Sequence, residues 1–386
     1  MHKKNVLYLG FVAIIAVLGL ALSARFLPEA RSLYRQLMDD RSATLRYQRI
    51  AGHTEPVGTP YDEWLDRMRG NIPMFEGLVI EDVRAVPVQP WPEMGKGISG
   101  LYLRLADYQI TDGRILELAA DASTRAEQHL FEMDIYFLGG PGHTLFFRRG
   151  ARPLRVDWRE GSLLAVPLNV PYQHFNDTDQ PVRLLAITSF PFTMNAWAND
   201  DFILSNPFEF SDRFDGSSEY FQLAVPGGDK RVATNFITDV PGADMHPYDE
   251  RGEGSMTTRW TMAGNTQIDL HASEIPPMQY KRAHRHSSDA FILILSGDGY
   301  SLTWPGEKLE TRTRVDWKKG TLFVPPTYWY HQHLNVGRTP ARYLAINAPA
   351  LVRNLGLRFY DQIEQDSPEI RAEWERTVQE HQSRLK

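Results

Sequence analysis

The chain has 386 residues, 42% of them hydrophobic and 11% aromatic, with a formal net charge of -6. These values describe a globular protein long enough for two domains, and the mildly acidic balance argues against a nucleic-acid binder, which needs a basic face. With Cys 0, disulfides, thiolate nucleophiles and cysteine–zinc sites are excluded, while the redox compartment stays open.

The first element in chain order is Asn5–Ser23, 19 uncharged and largely apolar residues preceded by Lys3 and Lys4. About 20 such residues span the hydrocarbon core of a bilayer, so residues 1–26 read as a membrane anchor. Ala21-Leu22-Ser23 also offers a signal-peptide cleavage site. Lys3 and Lys4 favour an inside N-terminus, whereas Arg25, Arg31 and Arg35 pull the other way. The expected arrangement is a membrane-anchored chain whose soluble part is periplasmic or otherwise extracytoplasmic.

Residues 27–92 read as a helical stalk and cap. Pro28 and Glu29 open one helix over 27–48, and Trp64, Leu65 and Met68 mark a second over 60–74. The Pro- and Val-rich stretch to Pro92 reads as an extended entry to a sheet. Over 93–190 short apolar runs alternate with turn residues: 101–105, 115–118, 134–138, 163–166 and 182–187. That spacing predicts an all-β sandwich or barrel. A linker over 191–252, rich in Asn, Asp, Phe, Pro and Gly, leads to a second β-domain over 253–350. Residues 351–386 end in a helix, opened by Asp366-Ser367-Pro368-Glu369 and striped by Ile370, Trp374 and Val378.

The two β-domains are copies. The segment starting Arg155-Val156-Asp157-Trp158 recurs from Arg314-Val315-Asp316-Trp317, at a constant offset of 159 residues. Upstream, Glu127 and His129 fall on His284 and His286 at an offset of 157, which places a two-residue insertion near 305–309. Self-similarity of this kind identifies a duplicated unit.

The chemistry concentrates in the second copy. His284 and His286 sit two apart on an expected strand, so their side chains share one face. A third histidine from the neighbouring strand, which carries His331 and His333, would complete a facial triad with open positions. Neutral imidazole suits Fe, Mn, Zn, Cu or Ni. No Gly-x-Ser-x-Gly, phosphate-binding loop or cysteine supplies a nucleophile, and no residue is assigned as catalytic.

These motifs resemble those of the cupin superfamily, and specifically of a bicupin. The resemblance implies two tandem cupin domains (double-stranded β-helix, jelly-roll), here flanked by the N-terminal transmembrane helix, the short stalk and the C-terminal helix. The second cupin motif is matched by Gly320, Pro326, His331 and Asn335, with Tyr328 in place of an inner glycine. The first is matched by His284, His286 and Gly297, but Ala290 stands where a ligating Glu is usual. The resemblance therefore implies His284, His286 and His331 as metal ligands. His-Arg-His-Ser, with the Trp-x-His-x-His segment, resembles gentisate and 1-hydroxy-2-naphthoate dioxygenases, bicupins that bind iron(II) through three histidines and cleave aromatic rings with O2. The chain as a whole resembles uncharacterised bacterial bicupins.

Further candidates for ligand support or substrate contact are His333, Arg282, Asp289, Trp329 and Gln332. Arg282 shares strand parity with His284 and so is expected to point inward. The first copy keeps only a degenerate set, Glu127, His129, Tyr172 and His174. The leading expectation is a divalent-metal bicupin, with Fe(II) ahead of Mn, Zn, Cu or Ni. It would be a dioxygenase-like oxidoreductase acting on a small, aromatic or other, carboxylate. The rival readings are a tethered non-catalytic binding, sensing or complex-stabilising protein and a Mn or Zn isomerase or decarboxylase. Expected partners are the small-molecule substrate and the membrane, not nucleic acid; a homo-oligomer or a membrane-protein partner stays open.

Overall fold

The computed structural model describes residues 58–106, 110–228, 230–262 and 265–384. The expected anchor at Asn5–Ser23 and the stalk helix over 27–48 lie outside the described residues. Among those described, no helix is long and apolar enough to cross a membrane.

The alternating apolar runs of the first copy form strands Ile98–Leu105, Asp112–Leu118, Met133–Phe137, Leu163–Val166 and Val182–Thr188, which share one large sheet. A smaller sheet of Gly142–Phe146, Leu154–Trp158 and Tyr172–Asn176 packs on it. The second copy repeats the pair. Ala186 faces Arg114 across the first ladder, and Ala345 faces His271 across the second. The register thus preserves the sequence offsets. The two-residue insertion falls between strands Gly299–Trp304 and Thr313–Trp317.

Short strands cross between the copies. Val79–Ile80, within the segment expected as stalk and cap, pairs with Phe323 and Leu322 of the second barrel. Phe236–Ile237, within the expected linker, pairs with Leu164 and Leu163 of the first. Each repeat therefore begins before its recognisable motif, with a strand given to the other barrel. Two-residue strands carry no alternation, so the sequence pattern is silent there.

The two large sheets bury one shared apolar layer, in which Leu103, Ile115 and Leu185 meet Leu270, Phe291 and Leu344. Two carboxylates fasten the layer. Glu132 accepts hydrogen bonds from the backbone N–H of Thr266, Gln267 and Ile268 at 2.7–3.0 Å. Asp289 accepts from the N–H and hydroxyl of Thr111 at 2.9 and 2.7 Å. These are equivalent positions of the two copies, each reaching into the other barrel.

Helix Pro60–Met68 buries Tyr61, Trp64 and Leu65, with Trp64 against Tyr102 and Tyr61 against Phe190 of the first barrel. The C-terminal helix Pro368–Arg384 covers the outer face of the small second sheet through Ile370, Trp374 and Val378.

Candidate metal centre

His284 and His331 are direct cross-strand partners, and the three-residue strand His284–His286 keeps His286 on the same side. One nitrogen from each of His284, His286 and His331 lies within 4.8 Å of the other two. Each Nδ1 meets a carbonyl two residues away: His284 at Arg282 O (3.2 Å), His286 at Ser288 O (2.7 Å) and His331 at Trp329 O (3.2 Å). A carbonyl only accepts, so each Nδ1 carries the ring proton and each Nε2 presents a lone pair. Burial pushes the imidazoles of His284 and His331 well below their ordinary range, and that of His286 down to about 4. Three neutral, oriented imidazoles fit a divalent transition metal.

Tyr328, where the motif expects glycine, keeps the left-handed backbone at φ 64°. Its N–H donates to His286 O at 3.0 Å, so the turn that carries Trp329–His331 is tied directly to the other histidine strand. Asn169 holds the equivalent place in the first barrel at φ 58°. Asparagine tolerates this region, whereas tyrosine is strained in it.

The triad opens into a cavity of about 440 Å³. Ala290 lines it, and among the described residues no acid joins the cluster of three histidines. The lining also carries Arg251, Arg259, His271 and Lys281, beside the acidic Glu250 and Asp269. Arg251, on the turn Asp249–Arg251, donates to Nε2 of His284 and to the Tyr360 hydroxyl. The Asp269 carboxylate is taken by Arg231 at 2.9 Å and Arg353 at 3.7 Å.

The first barrel is filled instead. Arg114 forks the Glu127 carboxylate at 2.9 and 2.8 Å and reaches the Tyr172 hydroxyl at 3.2 Å. Burial opposes ionisation of Glu127, but the charge and hydrogen bonds of Arg114 outweigh it and hold the carboxyl below its usual range. His129 keeps the ligand-like bond of Nδ1 to Phe131 O (2.8 Å), yet its Nε2 lies against Tyr172 at 3.1 Å. Met133, the counterpart of Ala290, has its sulfur within 3.7 Å of Arg114 and 3.5 Å of Tyr172.

The secondary candidates are sorted differently from expectation. His333 stays at the site: its ring is 5.5 Å from His331, and the Ser301 hydroxyl lies 2.8 Å from its Nδ1. Ser301 also receives the Trp317 indole N–H at 3.0 Å, leaving its own hydrogen for His333. The first barrel holds His174 through Thr144 and Trp158 in the same way, at 2.8 and 3.1 Å. Arg282 is not an inward arginine. It precedes the strand, so strand parity does not apply, and it pairs with Glu364 at 3.0 Å on the surface. Asp289 belongs to the inter-barrel clasp, because the turn over 287–289 redirects it. Gln332 alternates away from His331 and donates to Asp366 at 3.3 Å. The Trp329 indole is not part of the cavity wall; its carbonyl holds His331. Arg251, His271 and Lys281 were missed because they lie outside both motifs. The offset of 157 nevertheless places His271 on Arg114.

No family model matches the chain. A curated relative is 5-aminosalicylate 1,2-dioxygenase from Comamonas sp, 25% identical over 221 residues, which cover 53% of this chain and 56% of the relative. The chain thus matches little more than half the relative's length. Among solved structures, salicylate 1,2-dioxygenase from Pseudaminobacter salicylatoxidans aligns with a TM-score of 0.51 at 14% identity, over 71% of this chain and 82% of that one. A second structure of that enzyme, with gentisate adducts, aligns over 88% and 95% at the same TM-score and identity. The chain thus shares the two-barrel fold of these structures, with the motif region duplicated between its barrels.

Proposed function

We propose that the chain is a divalent-metal bicupin oxygenase, in which His284, His286 and His331 hold the ion and the second barrel takes a small carboxylate. The observation that carries this reading is the convergence of three imidazoles, each with Nδ1 tied to a carbonyl, on a cavity of about 440 Å³. Iron(II) is the ion this reading favours, because the relatives named above are 1,2-dioxygenases and three histidines without an acid leave coordination positions open. When bound, such an ion supplies redox chemistry and coordination sites for substrate and O2. The chain's own residues orient and enclose. The carbonyls of Arg282, Ser288 and Trp329 fix the rings, the arginines Arg251 and Arg259 attract a carboxylate to the metal-facing end, and the buried setting limits water. The apolar segment Asn5–Ser23 supports a tethered form with the barrels outside the cytoplasm.

One contact favours a second reading, a non-catalytic binding bicupin: Arg251 donates to His284 Nε2, the atom a metal would take. Full-length protein purified in detergent and loaded anaerobically with iron(II) decides between them. Oxygen uptake on adding salicylate, 5-aminosalicylate or gentisate is the expected result. A protein that retains no iron, manganese or zinc, with Arg251→Ala equally metal-free, would overturn the oxygenase reading.

A further inference from the structure

Lys281 is only 1% exposed. It lines the cavity that holds the three ligands and reaches His333 through Tyr343: the Tyr343 ring is 5.2 Å from His333, and the Lys281 amine is 5.1 Å from that same ring. Its one side-chain hydrogen bond goes to the Tyr343 hydroxyl at 3.2 Å. A lysine amine can donate more than one hydrogen bond, so it keeps donor capacity beyond that contact. Burial, and after it the charges of Arg251 and Arg259, push its amine well below its ordinary range. The acidic residues on the cavity lining are Glu250 and Asp269, and Asp269 is committed to Arg231 and Arg353. Glu274, on the adjoining strand, is bound to Arg342 at 2.9 Å.

The first barrel shows what the position costs. The N–H of Thr124 bonds to His174 O, and the N–H of Lys281 makes the same bond to His333 O. The pair Leu184 and Leu116 on the first ladder becomes Tyr343 and Ser273 on the second. An ordinary hydroxyl and two leucines thus fill the place in one copy, and a lysine, a tyrosine and a serine line it in the other. Protonating an amine buried there without a counter-ion is unfavourable. A bound anion would supply the missing partner.

We propose that Lys281 and Tyr343 anchor a carboxylate remote from the metal, so that the cavity is built for dicarboxylates. One end of the ligand faces His284, His286 and His331 and the other rests on Lys281. The inference rests on the oxygenase reading for the metal-facing end only. It names Lys281 as the residue that separates a dicarboxylate from a monocarboxylate of the same skeleton.

The test is calorimetric titration of metal-loaded, full-length protein with benzoate and with phthalate, isophthalate and terephthalate. At least one dicarboxylate should bind about tenfold or more tightly than benzoate, as expected for a hydrogen-bonded charge pair. Lys281→Met should abolish that preference and leave benzoate affinity within about twofold. The substitution replaces a buried amine with an apolar group of similar volume, so folding should survive. Tyr343→Phe, which keeps the ring, should reduce the preference only a few-fold. Equal affinity for all four probes in the native protein, or an unchanged preference in Lys281→Met, would overturn the proposal. Metal content separates this from failure of the oxygenase reading. A metal-free protein with a Lys281-dependent preference sinks the oxygenase and spares the anchor, whereas a metal-replete protein without the preference does the reverse.

Discussion

The two barrels share register, strand exchange and a hydroxyl–tryptophan brace on one histidine, yet their interiors do opposite things. In the first, Arg114 lies where the second has His271, Glu127 where it has His284, Met133 where it has Ala290 and Tyr172 where it has His331. The result is an internal ion pair sealed by a thioether and a phenol. In the second barrel the shorter side chains leave a cavity and the imidazoles leave open lone pairs. The first barrel keeps an internal ion pair, while the second keeps a strained turn at Tyr328 and an arginine- and lysine-lined cavity. Such departures from local ease are the mark of a functional site.

The largest break in this comparison should come from Arg114→Met. It strands the buried Glu127 charge and should cost about 3–5 kcal/mol in denaturant unfolding, with metal content unchanged. His271→Met at the equivalent, cavity-facing position should cost far less.

Asp112 comes next. It is held by hydroxyls of Tyr61, Tyr102 and Thr188, and burial raises it to about 7. Between the ordinary carboxyl range and that value, the folded state keeps a proton the unfolded chain has released, so this group lowers stability as pH rises across the window. Asp112→Asn should flatten the decline between pH 4 and pH 8 by up to about 4 kcal/mol. Its counterpart Asp269 faces Arg231 and Arg353, whose charges counter the upward push of burial, and Asp269→Asn should flatten the profile less. An equal effect at both would blur the distinction between a hydroxyl-held and an arginine-held carboxylate.

The clasp residues should give smaller losses. Glu132→Ala and Asp289→Ala should each cost about 1–3 kcal/mol, the former more because it strands more donors. Metal loss in Asp289→Ala would return that residue to the site. The smallest effect should be Tyr328→Gly, a gain within about 1 kcal/mol from relief of the left-handed strain. Asn169→Gly should instead lose stability, because the Asn169 amide donates to Asn206 O and Phe208 O at 3.0 and 2.7 Å. Melting temperatures of the pair would show opposite signs.

Much of this was legible in the sequence. The offsets of 157 and 159 placed the ladders in register, and the histidine spacing located the convergent triad. The errors arose where a periodic rule was carried past its element. Parity fails for Arg282, which precedes the strand, and nearness in sequence fails for Asp289, whose carboxylate bonds Thr111 of the other barrel. Gln332 was separable by parity alone, since a residue adjacent to His331 on a strand faces away. The basic wall was not legible from the motifs, because Arg251, His271 and Lys281 reach the cavity from three other parts of the chain. Comparing the copies position by position, His271 with Arg114 and Lys281 with Thr124, is the signal that would have exposed two of them.

The direct measurement of the central claim is the metal-to-protein ratio of the iron(II)-loaded, full-length chain, beside His331→Ala and His174→Ala. One working barrel predicts about one ion per chain in the native protein and in His174→Ala, and essentially none in His331→Ala. Two ions per chain, or an unchanged ratio in His331→Ala, would contradict the division of labour between the barrels.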